Sequence, residues 1–157
     1  MSLLAALQWC EHSELLVLMR ASSWFFPVVA TFHLFGLALL GGAVLVVDLR
    51  LLGLGLSRHP AAQLARDAQR WMLVSLSVML PTGLLMFLST ATKCYYVPAF
   101  WVKMAALAVV LVFTFTVRRR MVTADEPRVS ARGKAVALVS LSLWATAAIC
   151  GRLIGFY

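Results

Sequence analysis

From Ala21 to Val47 the chain carries no fixed charge, and His33 is the only ionisable side chain in a run of Phe, Leu, Val, Ala and Gly. A helix needs roughly 20 apolar residues to cross about 30 Å of hydrocarbon, so the run predicts a membrane-spanning helix. Three more charge-free runs cover residues 71–92, 104–117 and 135–151. The third reaches spanning length if it starts near Pro98 and Lys103 stretches its stem back to the headgroups. Arg152 extends the fourth in the same way.

Residues 2–20 are too short and too charged to span. Leu3, Leu4, Leu7 and Trp9 are followed by the polar patch Cys10 to Glu14 and then by Leu15 to Met19. That pattern predicts a helix lying at the membrane surface with Trp9 at headgroup depth. Glu11 and Glu14 and the lack of a basic leading segment argue against a cleavable signal peptide. The expected fold is all-α, an integral membrane four-helix bundle with an amphipathic N-terminal interfacial helix. It forms a single transmembrane domain over residues 1–157, with spans at about 22–47, 71–92, 98–117 and 135–155.

Local signals refine the elements. Ser22 or Ser23 is placed to cap span one, behind the aromatic belt of Trp24, Phe25 and Phe26. Pro60 suits a first helical turn, so span two is expected to begin outside the membrane as one longer helix. "LPTG" at residues 80–83 removes a backbone hydrogen bond and predicts a kink. The short loop "STATKCYYVPAF" predicts that spans two and three are antiparallel neighbours. "RRRMVTADEPRVSARGK" reads as a mobile polar connector between spans three and four.

Composition agrees, with 62% hydrophobic and 13% charged residues against about 45–50% and about 25% in soluble domains. The net charge of +8 does not indicate nucleic acid, because ten of the fourteen basic residues fall in two connectors. These are Arg50, Arg58, Arg66 and Arg70, then Arg118, Arg119, Arg120, Arg128, Arg132 and Lys134. The bias of basic loops toward the cytoplasm places both chain ends outside a bacterial inner membrane, N-out and C-out. The bilayer, through its anionic lipids, is the expected partner.

His33 lies nine residues after Trp24, about 13 Å below the outer interface. Intramembrane polar side chains face the bundle interior and find partners. One helical turn away are Val29, Ala30, Gly36 and Leu37, and Gly36 leaves room for something flat or bulky. Three readings are open: a hydrogen bond that glues helices, axial ligation of a haem iron, or a copper or other metal site. Met86 and Cys150 fall at a similar depth, while His12, Cys10, Cys94, Tyr95 and Tyr96 lie nearer the outer surface. Cys10 and Cys94 are able to form a disulfide in an oxidising compartment. Alternatively, Cys10, His12, Cys94 and Met86 form a soft ligand set that favours copper. Cys150 reads as an inert buried thiol. His59 falls in the inner connector, on the wrong side to share a site with His33. Arg152 is placed to meet a lipid phosphate or a haem propionate. Asp48 and Arg50, two residues apart, point in different directions and are expected to pair with other helices or lipid. No nucleotide loop, paired catalytic carboxylates, zinc spacing or Ser-His-Asp set is present, so no stand-alone enzyme is indicated.

The segments "WFFPVVATFHLFGLALLGGAVLVVDLRLLGLG", "PTGLLMF", "ATKCYYVPAFWVKM" and "GRLIGFY" resemble a family of small uncharacterised bacterial inner-membrane proteins along nearly the whole chain. That resemblance implies no activity. "FHLFGLALLGG" is similar to the membrane domain of the copper-resistance protein CopD and to four-helix b-type cytochromes. This likeness implies a haem b or copper role for His33, although the second intramembrane histidine of the cytochrome pattern is absent here. The resulting expectation is a haem- or metal-binding membrane subunit, with His33, Gly36, Met86 and Arg152 around a cofactor, handling electrons as a homo-oligomer or within a larger membrane complex. A structural or assembly protein without cofactor, or a small copper or solute transporter, are the alternatives.

Overall fold

The computed structural model describes residues 12–54, 61–120 and 130–155, all of whose regular elements are helices. In chain order they are α1 (Glu14–Ala21), α2 (Phe25–Leu52), α3 (Ala61–Ser89), α4 (Ala91–Tyr96), α5 (Pro98–Phe113) and α6 (Ala131–Ile154). A π turn, Thr114–Arg118, continues α5. Four stretches are long and apolar enough to cross a membrane, namely α2, α3 from Gln63, α5 with its π turn, and α6. The protein is therefore a multi-pass membrane protein; Glu14 and Ile154 lie toward one end of the bundle, the terminal end, and Leu52, Ala61, Arg118 and Ala131 toward the opposite, basic end.

The helix boundaries have local causes. The Ser22 hydroxyl accepts the amides of Trp24 and Phe25, which satisfies donors that the first turn of α2 leaves open. Gly53 ends α2 at φ 81°, in the left-handed region that glycine enters without strain. Pro98 occupies the first turn of α5, where its missing amide proton is not needed. Ser130 caps α6 by accepting from Gly133 N at 3.0 Å. α3 runs unbroken through Pro81.

The bundle is inside-out relative to a soluble one. Phe35 is 72% and Val112 64% exposed, surfaces that hydrocarbon, not water, would cover. The tight core is small: Leu40 and Val44 of α2 meet Met72 and Leu76 of α3, flanked by Leu111, Phe115 and Trp144. α2 is the central helix, packed along α3 on one side and against α6 on the other, while α5 packs chiefly on α6. This corrects the expectation that spans two and three are direct neighbours. The intervening loop folds into its own helix, α4, burying Ala91 and Cys94, and so carries α5 sideways. α3 and α5 meet at the terminal end, where the Phe87 and Phe100 rings stack with centroids 4.8 Å apart.

α1 is not isolated on the surface. Leu16 and Met19 are buried, α1 packs against α2 and α3, and Arg20 Nη1 donates to the Ser89 carbonyl at 3.3 Å. The rest of the expected interfacial helix, residues 2–11, lies outside the described residues.

At Gly36 α2 and α3 approach closely. A Cβ there would stand 2.7 Å from Met79 Cγ and 3.4 Å from the Ser75 carbonyl oxygen. Gly36→Ala is therefore expected to lower stability by about 1–3 kcal/mol through overpacking. Gly42→Ala, at a position with nothing within 4 Å, should be neutral or stabilise by up to about 1 kcal/mol through helix propensity. Thermal unfolding of both variants in detergent checks the contrast.

Candidate functional site

His33 of α2 is half-buried against the Pro81–Gly83 stretch of α3. Its Nδ1 lies 3.0 Å from Thr82 Oγ1. Thr82 Oγ1 is also 2.7 Å from the Val78 carbonyl, and a carbonyl only accepts, so the single hydroxyl proton is committed there. With that proton committed, the hydroxyl presents a lone pair to His33, and a neutral ring that donates from Nδ1 pairs with it. In that tautomer Nε2 keeps its lone pair. Gly83 makes this close packing feasible, since a Cβ would stand 3.0 Å from His33 Cε1. Thr82 and Gly83 were not singled out from sequence as partners, although "LPTG" was noted for its backbone effect.

The other candidates are distributed unevenly. Met79 fills the space beside Gly36. Met86 follows Thr82 by four residues on α3, hence on the same helix face one turn nearer the terminal end, and it is half-buried. Cys94 is a buried free thiol with Sγ 3.7 Å from Thr90 Oγ1. Cys150 is a half-buried free thiol. His12 and Arg152 are exposed. Cys10, and with it any pairing to Cys94, lies outside the described residues, as does His59. Among the described residues no three His, Cys, Asp or Glu side chains converge as a metal-binding group.

Lys103 is a basic residue within the third span. It is half-buried, and its Nζ rests against α6, where a Cβ on Gly151 would stand 3.4 Å away. The terminal half of the bundle thus collects an imidazole, an ammonium and a thiol, with no carboxylate among its described spanning residues.

A second polar centre lies toward the basic end. Asp48 of α2 is fully buried, and Arg118, at the end of the π turn, is 6% exposed. Arg118 Nε donates to Asp48 Oδ1 at 2.8 Å and Nη2 donates to the Val44 carbonyl at 3.0 Å. Arg118 was counted from sequence among the connector residues, and the structure corrects this. Ala106, Val110, Thr114 and Arg118 are all buried, a four-residue period. A straight α-helix would turn the last of these about 120° away from the first. The wider π turn takes up the drift and keeps Arg118 on the inner face. One signal was available: an acid within an apolar span calls for a cation on another helix at the same level, and "RRR" ends span three there.

A sequence model described as a family of unknown function (DUF6644) matches residues 6–157. No curated protein and no solved structure matches the chain.

The ion pair gives an asymmetric expectation. Asp48→Asn strands the Arg118 charge in apolar surroundings and should cost about 3–5 kcal/mol, whereas Asp48→Leu combined with Arg118→Met should be near neutral or stabilising. Unfolding of the single and double variants in one detergent tests this; equal losses in both would contradict it.

Proposed function

The chain belongs to this family of unknown function, DUF6644, and we propose that it is a membrane subunit holding a metal centre, haem b or copper, through His33 Nε2. The observation that carries this reading is the His33–Thr82–Val78 hydrogen-bond chain, in which a neutral ring donating from Nδ1 leaves the Nε2 lone pair free. A ligating histidine needs a free lone pair on one nitrogen and a fixed hydrogen bond on the other, which sets the tautomer and the ring orientation. The chain from His33 Nδ1 to Thr82 to the Val78 carbonyl supplies that arrangement.

Met86, on the face of α3 that carries Thr82, is the soft side chain best placed to complete a His/Met set. Because Met79 occupies the space beside Gly36, a macrocycle would lie along the outside of the α2/α3 pair, against lipid, a second copy or a partner subunit, and not inside it. A bound centre would supply one-electron chemistry. The protein's own contribution is to hold His33 by Thr82 and to surround it with apolar surface. By the distribution of basic residues this centre faces the periplasmic side of a bacterial inner membrane, with both termini outside.

The same hydrogen bond supports a second reading, in which His33 is polar glue between α2 and α3 and binds nothing. The two readings separate in one experiment. The protein is purified from its native membrane, its visible spectrum recorded and its copper measured. A Soret band or stoichiometric copper lost in His33→Ala supports the metal centre. Thr82→Val, which removes the hydroxyl but keeps the shape, should weaken binding about 10–100-fold. Absence of both haem and copper in the wild type, with His33→Ala changing only thermal stability, leaves the helix-glue reading.

A further inference from the structure

The hydroxyls of the spanning helices follow a rule with two exceptions. From Thr31 to Thr146, the other Ser and Thr side chains of the four long helices donate to a carbonyl three or four residues back on their own helix. Thr114 and Ser140 do not. Both are buried, and among the described residues the Thr114 hydroxyl has no hydrogen-bond partner, while the Ser140 hydroxyl has none within strict geometry and lies beside Asp48. Ser140 is a neighbour of Asp48 and belongs to the ion pair. Thr114 is different, because it lines a cavity of about 200 Å³ between α2, α3 and the π turn.

That cavity has a polarity of its own. Arg118, Arg119, Arg66 and Gln69 line it together with Thr114, and Ala43, Val47, Met72 and Phe115 form its apolar wall. The lining holds three guanidinium groups and no carboxylate, so that even with Asp48 paired to Arg118 and exposed Asp67 next to Arg66 in the chain the local charge is positive. Arg118 commits two N–H groups to Asp48 and Val44, and the rest of its fork is open to another oxyanion. Arg66 and Arg119 are exposed, as residues at a mouth would be. The volume is below the roughly 300–1,000 Å³ of drug-sized sites. It excludes a haem and suits a headgroup.

We propose that this cavity binds a phosphate oxyanion, with Thr114 and Arg118 inside and Arg66 and Arg119 at its entrance. The π turn serves the site directly: it keeps Thr114 and Arg118, both buried and both lining the cavity, on the inner face of the third span. The apolar wall and the depth, at the end of a span, favour a lipid phosphate; a soluble phosphate ester has the same oxyanion. The site is separate from His33, and neither reading depends on the other.

The test uses the full chain, delipidated in neutral detergent, with native mass spectrometry read against phosphatidylglycerol, phosphatidylcholine and glycerol 3-phosphate. Phosphatidylglycerol is expected to bind about tenfold more tightly than phosphatidylcholine. Thr114→Val should reduce that affinity about tenfold, the worth of one hydrogen bond to a charged group. It should not lower thermal stability, because the hydroxyl has no protein partner to lose. Arg66→Gln with Arg119→Gln should reduce affinity at least as much, and Arg70→Gln, on α3 but outside the cavity, should not. Competition by glycerol 3-phosphate at matched concentration would assign the oxyanion to a soluble ester; its failure to compete would assign it to lipid. Wild-type affinity in Thr114→Val, an equal loss in Arg70→Gln, or no preference over phosphatidylcholine would overturn the proposal and leave the cavity to water.

Discussion

The Asp48–Arg118 pair fixes the relation between the first and third spans, and much of the bundle follows from it. Each charge alone would be severely penalised in an apolar interior, and together they are tolerable only at contact distance. That requirement constrains α5 more than any apolar contact does. Its buried positions recur every four residues, a spacing an α-helix cannot keep on one face, and the π turn at Thr114–Arg118 resolves the conflict. The anchored end of α5 then leaves the cavity beside α3, since the two helices meet at the other end through Phe87 and Phe100.

In hydrocarbon every polar group must find its partner inside the protein. Most hydroxyls here satisfy that demand locally, by bonding back along their own helix, which makes them silent in tertiary terms. Thr82 bonds back and still accepts from another helix, so it orients His33. Thr114 and Ser140 do not bond back at all, and both sit at the level of the ion pair. These few departures from local satisfaction separate the chemically interesting positions from a background of serines and threonines that look the same in sequence.

The two polar centres differ in character. Toward the terminal end, His33, Lys103 and Cys94 lie with no acid among the described spanning residues; toward the basic end, guanidinium groups surround one buried carboxylate, Asp48, with Asp67 exposed on α3. Between them lies the small apolar core of Leu40, Val44, Met72 and Leu76. A ligand at one end has no polar route to the other through that core, so the two ends are best understood as separate sites on one scaffold.

The sequence by itself determined the spans, because crossing hydrocarbon requires only length and the absence of charge, and both are read along the chain. It also marked the local stops and starts, such as Ser22 at the entry of α2 and Pro98 at the start of α5, since caps and proline act within a turn. It singled out His33 and Asp48 as polar groups in need of partners. Which partners they have was decided by the tertiary structure. Thr82 meets His33, Met79 fills the space beside Gly36, and Arg118 turns inward, because each depends on how helices rotate about their axes and which pairs pack. Near-uniform apolar runs such as α2 carry almost no periodic signal to set that rotation. A buried ion pair and a close glycine contact set it instead, relations between residues 40 or more positions apart, and one π turn accommodates them.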